Sequence, residues 1–176
     1  MNDTCSSTVE KGSLAPALAS ALEQKKPWML ASLAREFHVT EKDVAEQLPE
    51  GMCVFTPGEN FTRVWEALGE WEKATFIVQH EGHVFEIKCR IPAGKVGHGY
   101  YNIMGEEALG GHIRADAVTD IAFLSMPFMG LESHSVQFFN AEGAVVFSIY
   151  AGRENHSIIP SVREAFLKLR KEMSEA

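Results

Sequence analysis

The sequence predicts an α+β fold: an antiparallel β-meander sheet with helices packed on one side, an N-terminal helical segment and a C-terminal helix. Three observations carry this. Apolar residues recur at helical spacing from Ser13 to Leu48, short β-branched and aromatic runs alternate with turn residues from Ala74 to Tyr150, and Pro160–Met173 returns to a helical stripe. Consecutive strands joined by short turns pair antiparallel, and helices grouped at the ends of a chain segregate into a layer on such a sheet.

Residues 1–12 read as a flexible tail. Residues 13–176 read as one domain, helical over 13–49, with a sheet core and C-terminal helix over 50–176. Leu14, Leu18 and Leu22 repeat every four residues. Pro27 opens a second helix over Trp28–Phe37, as proline does at a first helical position. Thr40 is an N-cap with Asp43 in the box position, and a third helix follows to Leu48. Pro49, Gly51, Pro57 and Gly58 then break the chain. Phe61, Val64, Trp65 and Leu68 stripe a helix over Phe61–Trp71. Ala74–Gln79 and His83–Arg90 form a hairpin about Glu81-Gly82. Further strands fall at Gly97–Met104, Leu109–Ala115, Ile121–Met126, His134–Phe139 and Ala144–Tyr150, with a turn at Asn140–Gly143. The last helix places Val162, Phe166, Leu169 and Met173 on one side. The apolar, sulfur-rich segment Phe123–Leu131 has three open readings: core, dimer surface or cleft wall.

With 45% hydrophobic residues in 176, the chain can bury one sizeable core. Its formal net charge of -8 repels nucleic acid and anionic membrane unless a local basic patch intervenes. No apolar run approaches the roughly 18 residues that a bilayer requires. The start MNDTCSSTVEKGS lacks an apolar signal segment, and Cys5, Cys53 and Cys89 form no CxxC pair. They read as free thiols in a reducing cytoplasm. The run Leu30–Leu48 has the outline of a helix-turn-helix, yet its second helix begins Glu41-Lys42-Asp43-Val44-Ala45-Glu46. Three acids against one lysine repel phosphate where a recognition helix needs basic or amide side chains.

The densest set of chemistry-bearing residues lies between His80 and Arg114: His80, His83, His98, Tyr100, Tyr101, Met104 and His112. Haem iron accepts His, Tyr, Met or Cys as axial ligand, and haem propionates pair with Arg or Lys. Strand alternation places His98, Tyr100, Asn102 and Met104 on one face and Tyr101 and Ile103 on the other. In the next strand His112 and Arg114 share a face opposite Ile113. Glycines 97, 99, 110 and 111 let a flat macrocycle approach the backbone. The histidines lack HxH or HExxH zinc spacing, and Glu106 and Glu107 sit where a phosphate loop would need neutral groups. No GxSxG elbow or catalytic Cys-His pattern occurs.

The segments FTRVWEALGEW, GHGYYNIMG, LGGHIRAD and FMGLESHSVQFFNAEGAVVFSIYAGR occur in this order. They resemble the HutX/ChuX haem utilisation proteins, which are similar to one half of the two-repeat HemS/ChuS haem proteins. The resemblance runs over nearly the whole chain after about residue 13. It implies an antiparallel sheet flanked by helices and a homodimer whose subunits mimic the two repeats. It further implies a cytoplasmic carrier that delivers haem b to a haem-degrading enzyme; the acidic charge and the lack of a long apolar run argue for no nucleic acid or membrane partner. In the family pattern His112 of GGHIRAD is a candidate haem-contacting residue, and Tyr100 of HGYYN suits ferric iron. Gln79 stands where some members carry a second histidine, and His80 beside it faces the other way. Tyr100 and His112 are therefore the axial-ligand candidates, Arg114 the propionate partner, and His98 and His83 the reserve ligands. Two alternatives remain open. One is an enzyme that itself degrades haem, for which no flavin or nicotinamide motif is present. The other is a helix-turn-helix regulator using Leu30–Leu48.

Overall fold

A computed structural model describes residues 11–105 and 107–175. Residues 1–10 of the predicted tail, with Cys5, and also Glu106 and Ala176 lie outside the described residues, while Lys11 and Gly12, predicted as tail, begin the first helix. No described helix is long and apolar enough to cross a membrane.

Three helices begin the chain: α1 (Lys11–Glu23), α2 (Leu30–Phe37) and α3 (Glu41–Glu46). The second helix starts later than Pro27 predicts. Met29 is its extended N-cap, and Trp28 turns back so that its indole N–H donates to the Ala21 carbonyl at 2.9 Å. The predicted box at α3 is present: Asp43 N–H donates to Thr40 Oγ1 at 3.0 Å, and Thr40 N–H donates to Asp43 Oδ2 at 3.1 Å. The start of α3 is bound to the sheet. Val145 N–H donates to Glu41 Oε2 at 2.6 Å, and Lys42 Nζ pairs with Asp120 at 2.6 Å. The would-be recognition helix is a docking element.

There follow β1 (Cys53–Pro57), α4 (Phe61–Gly69), β2 (Ala74–His80), β3 (His83–Cys89), β4 (Gly94–Gly97), β5 (Tyr100–Ile103), β6 (Gly111–Ile113), β7 (Asp120–Leu124), β8 (Ser135–Phe139), β9 (Val145–Ala151), β10 (Arg153–Glu154), β11 (Ser157–Ile158) and α5 (Pro160–Ser174). The α+β class and the antiparallel sheet are as predicted. The main sheet has six strands in the order β1-β7-β8-β9-β2-β3, and β4-β5-β6 form a separate three-stranded sheet. Within the main sheet only β7–β8–β9 and β2–β3 are sequential neighbours, while β4–β5–β6 is a meander of its own. Strand β1 went unpredicted because Pro57 and Gly58 read as breakers. Pro57 in fact ends an edge strand, where a missing N–H is tolerated. The predicted strand Gly97–Met104 is two strands, with His98 and Gly99 at the turn between them.

Both faces of the main sheet are used. Ile121, Phe123, Val136, Phe138, Phe147 and Ile149 point to one side, where α4 and α5 cover them. Phe138 is fully buried and stacks on Phe147 with ring centroids 4.5 Å apart. The alternating residues Ala122, Leu124 and Phe139 point to the other side, against Leu14, Leu18, Leu30 and Leu33 of α1 and α2. The helices thus form two layers around the sheet. The N-terminal layer covers β1, β7, β8 and the Val145 end of β9, and leaves the Thr75–Tyr150 end of its face open.

Candidate functional site

The small sheet presents the predicted residues. His98 (φ 54°) and Gly99 (φ 80°) are both left-handed, the mark of a type I′ turn, and they fold β4 onto β5. Tyr101 points inward, 2% exposed, with its ring 5.3 Å from Phe61 and 5.8 Å from Trp65. Gly94 makes this possible, since a Cβ there would overlap the Tyr101 ring. Alternation then projects Tyr100 and Asn102 outward. The register pairs Asn102 with His112 and Tyr101 with Ile113, so Tyr100, Asn102, His112 and Arg114 share one exposed face. The Tyr100 and His112 rings lie 5.9 Å apart, edge to face.

The hydrogen bonds on this face define a tautomer. Asn102 Nδ2 donates to the carbonyls of Gly97 at 3.0 Å and Lys95 at 3.1 Å, so Oδ1 is the acceptor toward His112 Nδ1 at 2.6 Å. A neutral His112 then carries its proton on Nδ1 and leaves the Nε2 lone pair outward. Metal-ligating histidines are oriented in this way by an acceptor on the other ring nitrogen. Arg114 is engaged locally: Nε donates to Asp116 Oδ1 at 3.2 Å and Nη2 to Oδ2 at 2.7 Å. That pairing raises the Arg114 pKa and holds the Asp116 carboxyl below its usual range.

The reserve ligands are placed elsewhere. His98 sits at the turn tip rather than on the Tyr100 face, and Met104 follows the end of β5. His83 belongs to β3, the edge strand of the other sheet, where it pairs with His80. Alternation correctly separates Gln79 from His80. Gln79 lies on the opposite face and donates to Met29 Sδ at 3.4 Å. No group of three His, Cys, Asp or Glu side chains suited to a metal ion occurs among the described residues. Burial pushes the Cys53 thiol up to about 12, which makes it an inert core group.

A second site was not visible in the sequence. The uncovered end of the α1–α3 face is a cleft of about 290 Å³. Met29, Ile77 and Phe128 supply its apolar wall, and Lys73, Lys88 and Arg153 its cationic rim. Glu86 is the acid on the lining. Arg153 is held in place by donating to the His156 carbonyl at 2.9 Å and to the Glu132 carbonyl. The loop that carries Phe128 is pinned to α5, because Glu132 Oε1 meets both Arg163 Nε at 2.7 Å and His134 Nε2 at 2.9 Å. His134 is buried and stacked on Phe166 at 4.6 Å, and burial lowers its pKa. The hydrogen bond from Arg163 is the main cause holding Glu132 below its usual value. The open readings of Phe123–Leu131 divide along its length: Phe123 and Met126 are core, Phe128 lines the cleft, and Met129 and Leu131 are exposed.

A carrier-sized α+β protein with an open cation-rimmed cleft and an outward Tyr/His platform is a small-ligand binding protein by architecture. The chain belongs to the haem utilisation ChuX/HutX family, whose model matches residues 54–169. It is 38% identical over 162 residues to the intracellular heme transport protein HutX of Vibrio cholerae serotype O1 (strain ATCC 39315 / El Tor Inaba N16961), which covers 91% of this chain and 84% of that protein. The crystal structure of ChuX superposes with a TM-score of 0.82 at 31% identity, over 90% of this chain and 99% of the other. The heme degrading enzyme ChuS of Escherichia coli O157:H7 shares the fold at 14% identity and a TM-score of 0.69, with 85% of this chain matching 47% of that one.

Proposed function

We propose that this chain binds haem b, holds its iron through Tyr100 or His112, and hands the haem to a haem-degrading acceptor in the cytoplasm without transforming it. The observation that carries this is the shared outer face of β5 and β6, with two axial-ligand types side by side and the His112 Nε2 lone pair outward. Kinship with a protein named for intracellular heme transport supports the carrier role. An exposed ligand face suits transfer, since an acceptor can reach the iron before the first ligand lets go. Arg114 pairs a propionate by exchanging or sharing Asp116, and His98 and His83 remain secondary candidates.

Tyr101 packs on the α4 side of the main sheet, whereas the cleft opens on the other side. One haem in a single chain therefore contacts the platform or the cleft. A homodimer allows the platform of one copy to face the cleft of the second, which favours the dimeric state.

The test is a hemin titration of the purified protein with Tyr100→Phe and His112→Ala variants. A saturable Soret shift is expected, altered in at least one variant. No shift in the parent protein would sink the haem reading, and an unchanged spectrum in both variants would remove the platform as the ligand site. Bound haem given reductant, oxygen and catalase should not turn over to bile pigment; catalytic turnover would make the protein an enzyme.

A further inference from the structure

Asn102 joins the three strands of the small sheet through one side chain. Its Nδ2 donates to the carbonyls of Gly97 at 3.0 Å and Lys95 at 3.1 Å on β4 and of Tyr100 at 3.3 Å on β5, while its Oδ1 meets His112 Nδ1 on β6 at 2.6 Å. A carbonyl only accepts, so three carbonyls on one side fix which way the amide faces; turned over, Oδ1 would meet three oxygens. Oδ1 likewise only accepts, so the proton between it and the imidazole belongs to His112 Nδ1. Gly97 and Tyr100 flank the left-handed His98-Gly99 turn, and the amide therefore ties that turn to the imidazole two strands away. The residue type follows from these partners. Aspartate has no N–H for the carbonyls, leucine has the shape and neither function, and glutamine carries its amide one methylene farther out. Asp116 does not compete for the imidazole, because the Arg114 guanidinium holds both of its oxygens.

We infer that Asn102 is the positioning residue of the platform: it holds His112 with Nε2 unprotonated and outward, and through that ring it sets the affinity and the reduction potential of the bound haem iron. The inference rests on the haem reading above, in which the iron lies on this face, and goes beyond it by naming a group that controls the iron without touching it. An imidazole that donates from one nitrogen to a fixed acceptor is held in orientation and gives more electron density from the other. Hydrogen bonding behind a ligand is one of the means by which a protein moves a haem potential. A neutral amide is a milder acceptor than a carboxylate, so the iron bond it supports is of intermediate strength. Intermediate strength suits a cargo that has to be released.

The test combines hemin titration with spectroelectrochemical measurement of the midpoint potential, on the full chain and on Asn102→Leu, Asn102→Asp, His112→Ala and the double variant Asn102→Leu/His112→Ala. Asn102→Leu should weaken hemin binding about 10–100-fold, the usual loss when a metal-ligating histidine is deprived of its partner. It should also raise the midpoint potential, because a poorer donor favours ferrous iron. Asn102→Asp loses the same donations to the turn but keeps an acceptor for His112 Nδ1 and gives it a charge, so it should lower the potential below that of the parent. Opposite shifts separate positioning from a role in holding the turn alone, which would move both variants the same way. In the His112→Ala background, Asn102→Leu should change the hemin Kd by less than about twofold, as expected when two residues act as a unit. Circular dichroism reports whether each variant is folded; should Asn102→Leu not fold, the potential of Asn102→Asp against the parent decides. Potentials that shift in one direction in both variants, an unmoved potential in Asn102→Asp, or a loss that adds to that of His112→Ala overturns the inference and leaves the haem reading intact. Absence of hemin binding by the parent overturns the haem reading itself.

Discussion

One face of the six-stranded sheet is closed and aromatic, whereas the other is half closed and mixed. Under α4 and α5, Phe76, Phe138 and Phe147 stack in a continuous series, with Phe61 and Trp65 edge-on to it. Beside α1–α3, the second face carries Thr75, Ser148 and Tyr150 among its apolar residues, and past the buried Ser148 it opens into the cleft. Such a difference separates labour. The first face is almost wholly aromatic and aliphatic, with the Trp65 indole N–H donating to the Pro92 carbonyl, and supplies most of the hydrophobic free energy of the fold. The second gives up part of that energy to keep a surface on which a ligand can be solvated, gripped and released.

Substitutions on the two faces should therefore diverge. Phe138→Ala removes a fully buried ring from the closed face and should cost about 3–5 kcal/mol, read as a large fall in the thermal midpoint. A loss under about 1 kcal/mol would show that the aromatic series is not the main support. Gly94→Val forces Tyr101 out of its slot and should cost about 1–3 kcal/mol while disturbing the Tyr100/His112 face, so the hemin spectrum should change with stability. Thr40→Ala deletes the α3 cap and should cost about 1 kcal/mol by chemical denaturation, with hemin binding retained.

His134 gives a pH signature to the junction between the faces. Its folded pKa is lowered from 6.5, so the unfolded chain takes up a proton first. Stability contributed by the neutral ring is full above about pH 6.5 and is lost as pH falls from there through the lowered folded value. Glu132, lowered from 4.5, loses its contribution in a more acidic window. Denaturation midpoints of the parent protein and His134→Gln, followed from pH 8 to 5, should converge toward acid; parallel curves would contradict the assignment. The smallest effect on stability belongs to Lys88→Ala. That side chain is exposed and lacks an ion-pair partner among the described residues, so stability should stay within about 0.5 kcal/mol of the parent.

What the sequence revealed follows from how local each signal is. The stripe Val162, Phe166, Leu169 and Met173 names the buried side of α5 residue for residue, because helical period is written in neighbouring positions. The Thr40 box and the Glu81-Gly82 turn are local as well. The common face of Tyr100, His112 and Arg114 was legible from alternation, although His98 was drawn onto it by reading a hairpin as one strand. Strand β4 escaped because Gly94 and Gly97 offer no apolar alternation, and β1 because an edge strand tolerates the proline that seemed to end it. The cleft could not be read at all. Its cations come from Lys73, Lys88 and Arg153, its apolar wall from Met29, Ile77 and Phe128, and only the folded register brings them together.

Met29 occupies two roles at once, as the N-cap of α2 and as part of the cleft wall. A ligand seated in the cleft touches the first turn of that helix, and so its binding free energy is shared with the helix's own opening equilibrium. Amide hydrogen exchange across Leu30–Phe37 should slow when the cleft is filled, while exchange in α5, anchored on the closed face, should hardly change. The N-terminal helices would then report cargo: their rigidity distinguishes a loaded carrier from an empty one, a difference that an acceptor protein docking on that end could sense.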